Sequence, residues 1–276
     1  MAIQLSTKRP ITAYINAQRV TVERRETLLQ AALRQGIDFP YSCRVGGCAT
    51  CKCRLKQGKV KELTETGYLL SAEEIDQGYI LACQSVPESD VDIELDVSDK
   101  RKVSGRVIAQ QKVTHDITCL DVQLDEALSY KAGQFANLGI ESLNGVTRSY
   151  SFGSPAASDA RVRFFVRKVP GGEFSSLIND QDMVGRIVHV EGPLGEFWLR
   201  PAAAPLLFVA GGSGLPPVLA MLQEAARAGV TRSVTLLFGA RESKDLYALA
   251  EIEAIAREWR GSFRFVPVLS QASADP

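Results

Sequence analysis

Along the chain the spacing of apolar positions changes character twice. Residues 12–16 and 18–22 alternate apolar and polar side chains, as two short strands joined by a tight turn at Asn16 and Ala17 do. LLQAALRQ then places apolar residues three and four apart. Thr27 precedes it as an N-cap and Gly36 closes it, so the pattern predicts a helix. KCRLKQG and DVDIELDV read as strands on either side of a charged stretch. Past Asp99, Lys100 and Arg101, a polar joint, the pattern becomes many short strands: VSGRVIAQQKV, DITCLDVQL, QFANLGI, RSYSFG, VRFFVRKV and RIVHVEGPL. Gly and Asn in the connections predict a small antiparallel barrel. Beyond an alanine linker flanked by Pro201 and Pro205, a buried strand, a Gly-rich turn and a helix follow in APLLFVAGGSGLPPVLAMLQEAARAG. VTLLFGAR, DLYALAEIEAIAREW and FRFVPVLS continue the alternation, which predicts a parallel sheet with crossover helices. Pro216 and Pro217 suit the first turn of a helix, where N–H groups have no internal partner. The expected fold class is multidomain, α+β followed by α/β, over segments 1–99, 100–200 and 201–276.

A chain of 276 residues accommodates two or three domains, and 45% hydrophobic with 23% charged content is ordinary for a soluble globular protein. No apolar run approaches the ~20 residues of a membrane span, and the N-terminus has no apolar signal core. A cytoplasmic location without membrane or nucleic-acid partners is the expectation. Net charge is zero but unevenly laid out. Residues 1–61 hold 12 bases against 3 acids, and residues 62–99 hold 11 acids and no base. Either the two stretches neutralise each other in one domain, or Arg44, Lys52, Arg54 and Lys56 form a docking patch for a partner.

The strongest chemical pattern is CRVGGCATCKC at residues 43–53. Cys43, Cys48 and Cys51 stand at C-x4-C-x2-C, and Cys83 returns in ILACQS. This is the plant-type spacing in which four thiolates hold a 2Fe-2S cluster. Gly46 and Gly47 let the backbone curl so that N–H groups point at sulfur. Structural zinc, the alternative, usually pairs its ligands as two short knuckles. Cys53 and Cys119 read as packed thiols. Two further stretches carry weaker chemistry. In RSYS, alternation turns Arg148 and Tyr150 to one face, where an arginine can pair with a diphosphate and a ring can lie on another ring. In VPGGEFSSLI, glycines before Ser175 and a short helix make an anion seat.

Residues 10–97, including PYSCRVGGCATC and GYILACQSVPESDVDIEL, resemble plant-type ferredoxins, which have a β-grasp fold. The resemblance implies a one-electron carrier with Cys43, Cys48, Cys51 and Cys83 as ligands. RSYS, GGEFS and GPLGEF together resemble the ferredoxin–NADP reductase superfamily, whose antiparallel barrel binds a flavin, here FAD. By position, Arg148 would bind the flavin diphosphate, Tyr150 would stack on the ring, and Ser151 would sit near its hydride-accepting nitrogen. Tyr150 and Ser151 are thus the expected catalytic residues. Arg167, Gly172, Phe174 and Ser175 would line the ribityl and diphosphate end. Gly211, Gly212, Ser213 and Gly214, with Gly239 and Arg241 of FGAR, resemble the superfamily's NAD(P)H module. That parallel-sheet domain is partial here, without the Cys-Gly-Pro segment of its relatives, which predicts slow NADH turnover. LSQASADP has no base for a 2′-phosphate, so NADH is expected over NADPH.

His115 and His189 are expected to be structural. The order of the three segments resembles reductase components of bacterial ring-hydroxylating oxygenases, which implies electron flow from NADH through FAD and 2Fe-2S to a terminal oxygenase component. The same parts could serve a diiron monooxygenase or a deoxysugar dehydratase, or form an electron carrier with an idle nicotinamide half. A zinc-stabilised interaction protein is the rival from another class.

Overall fold

In a computed structural model, residues 10–41, 43–95 and 101–271 are described. The chain divides into two compact units, residues 1–98 and 99–276.

The first unit is a five-stranded mixed sheet with a helix against it. Strands β1 (Ile11–Ile15) and β2 (Gln18–Val22) form a hairpin whose turn holds Asn16 and Ala17 at positive φ. Helix α1 (Leu28–Arg34) starts at Thr27, whose hydroxyl accepts from Gln30 N–H while the Gln30 side chain accepts from Thr27 N–H. That reciprocal box satisfies two donors that the helix itself leaves unpaired. Leu28, Leu29, Ala31 and Ala32 are its buried face. Strand β3 (Lys52–Gln57) follows the cysteine loop, then β4 (Val60–Glu62), α2 (Ala72–Asp76), β5 (Tyr79–Leu81), β6 (Ser85–Pro87) and β7 (Val91–Glu94). The sheet order is β2-β1-β7-β3-β5, with β1 and β7 parallel, and β4 and β6 form a separate pair. First and last strands lie side by side, the β-grasp arrangement.

The second unit opens with six antiparallel strands: β8 (Arg101–Lys112), β9 (Ile117–Leu124), β10 (Phe135–Ile140), β11 (Thr147–Ser151), β12 (Arg161–Arg167) and β13 (Ile187–Leu194). Their order is β11-β10-β13-β8-β9-β12. The sheet curls until Gly153, just past β11, donates to the Arg163 carbonyl on β12 at 2.8 Å, which brings the two end strands together as a near-closed barrel. Alternate residues fill it, among them Val103, Leu120, Leu138, Phe164 and Val190. Helix α3 (Glu173–Asp180) plugs one end with Phe174 and Ile178.

The remainder is a three-stranded parallel sheet, β14 (Leu206–Gly211), β15 (Val234–Ala240) and β16 (Phe263–Leu269), with α4 (Leu215–Arg227) and α5 (Leu249–Glu258) as crossovers. Pro216 and Pro217 sit in the first turn of α4, as the sequence predicts. Leu206, Phe208 and Ala210 face the helices and are buried, whereas Leu207 and Val209 on the other face are 67% and 71% exposed. Parallel sheets are usually covered on both faces; among the described residues this one is covered on one. Tyr247 packs between Phe165 of the barrel and Phe238 of the sheet, at 5.7 and 5.6 Å, and its hydroxyl donates to the Gly212 carbonyl at 2.9 Å.

Candidate functional site

The cysteine loop curls through three residues at positive φ, Arg44, Gly46 and Ala49. The curl points N–H groups at sulfur. Val45 and Gly47 donate to Cys43 Sγ at 3.4 and 3.2 Å, and Cys43 N–H to Cys48 Sγ at 3.4 Å. Across the loop, Cys83 N–H donates to Cys51 Sγ at 3.5 Å and the Gln84 amide to Cys83 Sγ at 3.7 Å. Gly46 has a steric reason besides its φ of +74°, since a Cβ there would stand 2.8 Å from Gln84 Cγ.

These N–H···S bonds link the four cysteines two by two, Cys43 with Cys48 and Cys51 with Cys83. Among the described residues no three Cys, His, Asp or Glu side chains converge on one ion position. Two thiols for each iron is the arrangement a two-iron cluster takes. The electrostatics favour the thiolate at Cys43 and Cys83 and disfavour it at Cys51. The hydrogen bond from Cys51, ahead of the opposing effect of burial, lowers Cys83 to about 6 and raises Cys51, so the pair shares one proton. Burial alone would raise Cys43, but the Val45 and Gly47 N–H groups outweigh it and bring it down. Cys53 points away into the core, fully buried, with its sulfur 3.9 Å from the Ile80 carbonyl.

Three of the four bases of the docking-patch reading have partners within the unit. Lys52 pairs with Glu74 at 2.8 Å, Lys56 with Glu94 at 3.6 Å, and Arg54 donates to the Gln77 carbonyl. Lys52 with Glu74 and Lys56 with Glu94 join the basic stretch to the acidic one within the unit. Arg44 lies over the Tyr41 ring at 4.4 Å, and Tyr41, Val45 and Tyr68 are exposed around the loop.

In the second unit the two weak sequence stretches meet. The Tyr150 ring lies 5.9 Å from Phe174, tilted by 24°. This joins RSYS on β11 to the first turn of α3. Burial pushes the Tyr150 phenol up to about 12, so it is neutral. Arg148 is exposed on the same strand, Ser151 is half-buried, and Gly172 is the N-cap of α3. Two side chains are placed otherwise than expected. Phe174 is 2% exposed and belongs to the barrel core, so only its backbone faces the anion seat. Ser175, 5% exposed, accepts Val169 N–H at 3.0 Å and donates to the Gly172 carbonyl at 3.3 Å. Its hydroxyl is spent on closing the VPGG turn.

Arg167 makes its contacts away from Tyr150. It ends β12 beside the glycine turn, where Asp116 accepts its Nε at 2.8 Å. A cleft of about 440 Å³ opens there, lined by Thr114, Asp116, Arg167, the Gly211–Gly212 turn, Gly239 and Arg241. Its volume is that of a small-ligand site. Ser213 and Gly214 are exposed at the adjacent N-terminus of α4. Burial alone would raise the Asp116 carboxyl, but hydrogen bonds from Arg167 and Thr114 outweigh it and hold it low. His115, expected to be structural, stands at the rim with Nδ1 3.2 Å from Asp245 Oδ1. His189 bonds Ser104 at 3.0 Å within the barrel. Asp116 was missed because it belongs to no motif, and Asp245 because DLY reads only as the start of a helix.

Three protein families match successive parts of the chain. The 2Fe-2S iron-sulfur cluster binding domain matches residues 13–88, the oxidoreductase FAD-binding domain 104–198, and the oxidoreductase NAD-binding domain 208–276. The xylene/toluene monooxygenase electron transfer component of Pseudomonas putida is 40% identical over 92% of this chain and 73% of its own length. The chain belongs to the iron–sulfur flavoprotein reductase components of oxygenase systems. The toluate 1,2-dioxygenase electron transfer component of Pseudomonas putida is 37% identical over 84% of this chain and 71% of its own length. Among solved structures, the ferredoxin reductase in carbazole 1,9a-dioxygenase superposes with a TM-score of 0.62 at 28% identity, covering 97% of this chain and 82% of that one. This reductase is therefore an electron-transfer oxidoreductase built for a 2Fe-2S cluster, FAD and NADH, and no helix among its described residues is long and apolar enough to cross a membrane.

Proposed function

We propose that this reductase takes electrons from NADH and delivers them singly to a terminal oxygenase acting on aromatic compounds, in the cytoplasm. The observation that carries the reading is the pairing of four thiols two by two, in a chain that continues into flavin and nucleotide modules with joints near residues 99 and 200. When bound, the flavin supplies the conversion from hydride to single electrons, and the cluster supplies the one-electron outlet. The chain's residues do the holding. Cys43 and Cys48 would ligate one iron, Cys51 and Cys83 the other, with the loop N–H groups offsetting the negative charge on sulfur.

Arg148 pairs with the flavin diphosphate, and Tyr150, backed by Phe174, offers a neutral ring face to the isoalloxazine. Ser151 is positioned beside the reacting nitrogen. Gly172, with the backbone of Phe174 and Ser175, seats the diphosphate at the start of α3. Arg167 and Arg241 flank the cleft in which Gly211, Gly212, Ser213, Gly214 and Gly239 let the coenzyme diphosphate approach the backbone. NADH is preferred over NADPH because the segment after β16 reads without a base to Gln271.

A dioxygenase and a monooxygenase partner are both represented among relatives of similar identity. The monooxygenase reading is favoured by the 40% relative and the dioxygenase reading by the 37% one. Supplying each kind of terminal component to the reduced protein and following product distinguishes them. The electron path itself is tested with Cys83→Ser. NADH-driven ferricyanide reduction, which draws on the flavin, should persist while cytochrome c reduction collapses. Equal cytochrome c reduction by the variant would refute the path.

A further inference from the structure

Where the barrel meets the parallel sheet, one carboxylate oxygen is shared by two arginines that come from different elements. Asp116 Oδ2 accepts Arg167 Nε at 2.8 Å and lies 3.9 Å from a terminal nitrogen of Arg241. Arg167 ends β12, and Arg241 follows β15. The carboxylate is locked in this place by the turn Thr114–Ile117. Thr114 Oγ1 accepts the N–H groups of Asp116 and Ile117, at 3.3 and 3.0 Å, and donates to Asp116 Oδ1 at 3.0 Å. Lys168 N–H donates to the Asp116 carbonyl at 2.7 Å. With Oδ1 held by Thr114, Oδ2 alone faces the cleft.

Exposure separates the three groups. Asp116 is the inner one, 19% exposed, whereas Arg167 and Arg241 are 46% and 54% exposed and reach outward into the cleft. Arg167 also reaches the glycine turn, since a Cβ on Gly212 would lie 3.8 Å from its Nη1. Two arginines are matched in the lining by two carboxylates, Asp116 and Asp245, so the cleft offers no net positive charge where a coenzyme diphosphate, with about two negative charges, has to sit. The other carboxylate at the cleft, Asp245, is turned to Glu242 N–H and to His115.

We propose that Asp116 is the internal counter-anion of the coenzyme cleft: its Oδ2 occupies, between Arg167 and Arg241, the place of a diphosphate oxygen of NADH, and it thereby weakens coenzyme binding. The proposal rests on the reading of this cleft as the coenzyme site. An arriving diphosphate shares or takes over both guanidiniums and meets the repulsion of a carboxylate that Thr114 does not let swing away. Such weakening serves turnover. Affinity gained equally in the bound substrate and in the transition state lowers KM without raising kcat, and it slows release of the oxidised coenzyme.

The test is calorimetric titration of the FAD- and cluster-loaded protein with ADP-ribose, which carries the diphosphate but no nicotinamide. Asp116→Asn keeps the shape and the Thr114 partner while removing the charge. It should bind ADP-ribose roughly fivefold more tightly, the scale of a half-exposed ion pair, and should release NAD+ more slowly. Asp116→Glu, which retains the charge, should bind as the unaltered protein does. Adding Arg167→Ala to Asp116→Asn should abolish the gain. Affinity unchanged or weakened in Asp116→Asn would overturn the proposal, because an aspartate that merely aims Arg167, or merely supports the fold, weakens binding when lost. If the unaltered protein fails to bind ADP-ribose at all, the coenzyme reading of the cleft falls, and the role of Asp116 falls with it.

Discussion

Ser175→Ala separates two roles for one hydroxyl. By resemblance Ser175 lines the flavin diphosphate; in the structure its Oγ is 5% exposed as a residue and bonded on both sides, to Val169 N–H and the Gly172 carbonyl. Removing it leaves the Val169 N–H without that acceptor at a partly buried place. An unsatisfied buried donor costs about 1–3 kcal/mol, against about 1 kcal/mol for an ordinary hydrogen bond replaced by water. The structural role therefore predicts a loss of about 1–3 kcal/mol in stability, a fall in Tm of roughly 5 °C for a unit of this size. The same bonds set the VPGG turn from which α3 starts, so FAD affinity should fall by less than about tenfold, through a looser seat. Scanning calorimetry of the flavin-free protein and titration with FAD read the two effects separately. Unchanged Tm together with a hundredfold loss of FAD affinity would refute the reasoning and return the hydroxyl to direct flavin contact.

Three other perturbations follow from the first unit. Gly46→Ala forces a side chain into the left-handed region at φ +74° and pushes Gln84 from its place by Cys83, so it should cost about 1–2 kcal/mol and speed cluster loss to a chelator; identical bleaching rates would count against it. In Glu74, burial would raise the carboxyl, but Lys52 and the Ser71 N–H outweigh it and hold it below its ordinary 4.5. Its contribution is therefore present above about 4.5 and lost as pH falls through the lowered value, so Glu74→Gln should flatten the acid limb of the unit's stability curve, measured by denaturant unfolding between pH 3 and 6 as order-of-magnitude bounds. Cys53→Ser should keep the cluster spectrum while lowering stability by about 1 kcal/mol or more, since a hydroxyl replaces a thiol at a fully buried position; a lost spectrum would make Cys53 a ligand.

The parts legible in the sequence are those whose chemistry is local. Cys43, Cys48 and Cys51 are confined to one loop, so their spacing alone dictates a shared cluster, and Cys83 is the one ligand that must come from afar. Thr27 with Gln30, Asn16 with Ala17, and Pro216 with Pro217 likewise act on their own turns, and each appears where the pattern puts it. The coenzyme cleft is different. The resemblance places Arg167 at the flavin end, and a carboxylate 51 positions earlier, which no local pattern pairs with it, holds it beside the glycine turn. Asp116 lies in a four-residue turn that resembles any other, and Asp245 caps a short helical turn. Their meaning arises only when β9, β12 and β15 are brought together. The uneven charge of the first unit had two readings in the sequence, and ion pairs such as Lys52 with Glu74, separated by 22 positions, were not visible in it. Phe174 shows the same limit at one residue: its position beside the anion seat was readable, but the burial of its ring in the barrel was not.

The central claim is that one chain carries electrons from NADH through flavin to cluster. It is tested most directly by mixing the FAD- and cluster-loaded protein with NADH without oxygen and following the flavin and cluster absorbance together, with the cluster's paramagnetic signal read on frozen samples. The account predicts loss of flavin colour first, then cluster reduction, with uptake approaching about three electrons per chain, two on the flavin and one on the cluster. A cluster that dithionite reduces but that stays oxidised while NADH bleaches the flavin would contradict it.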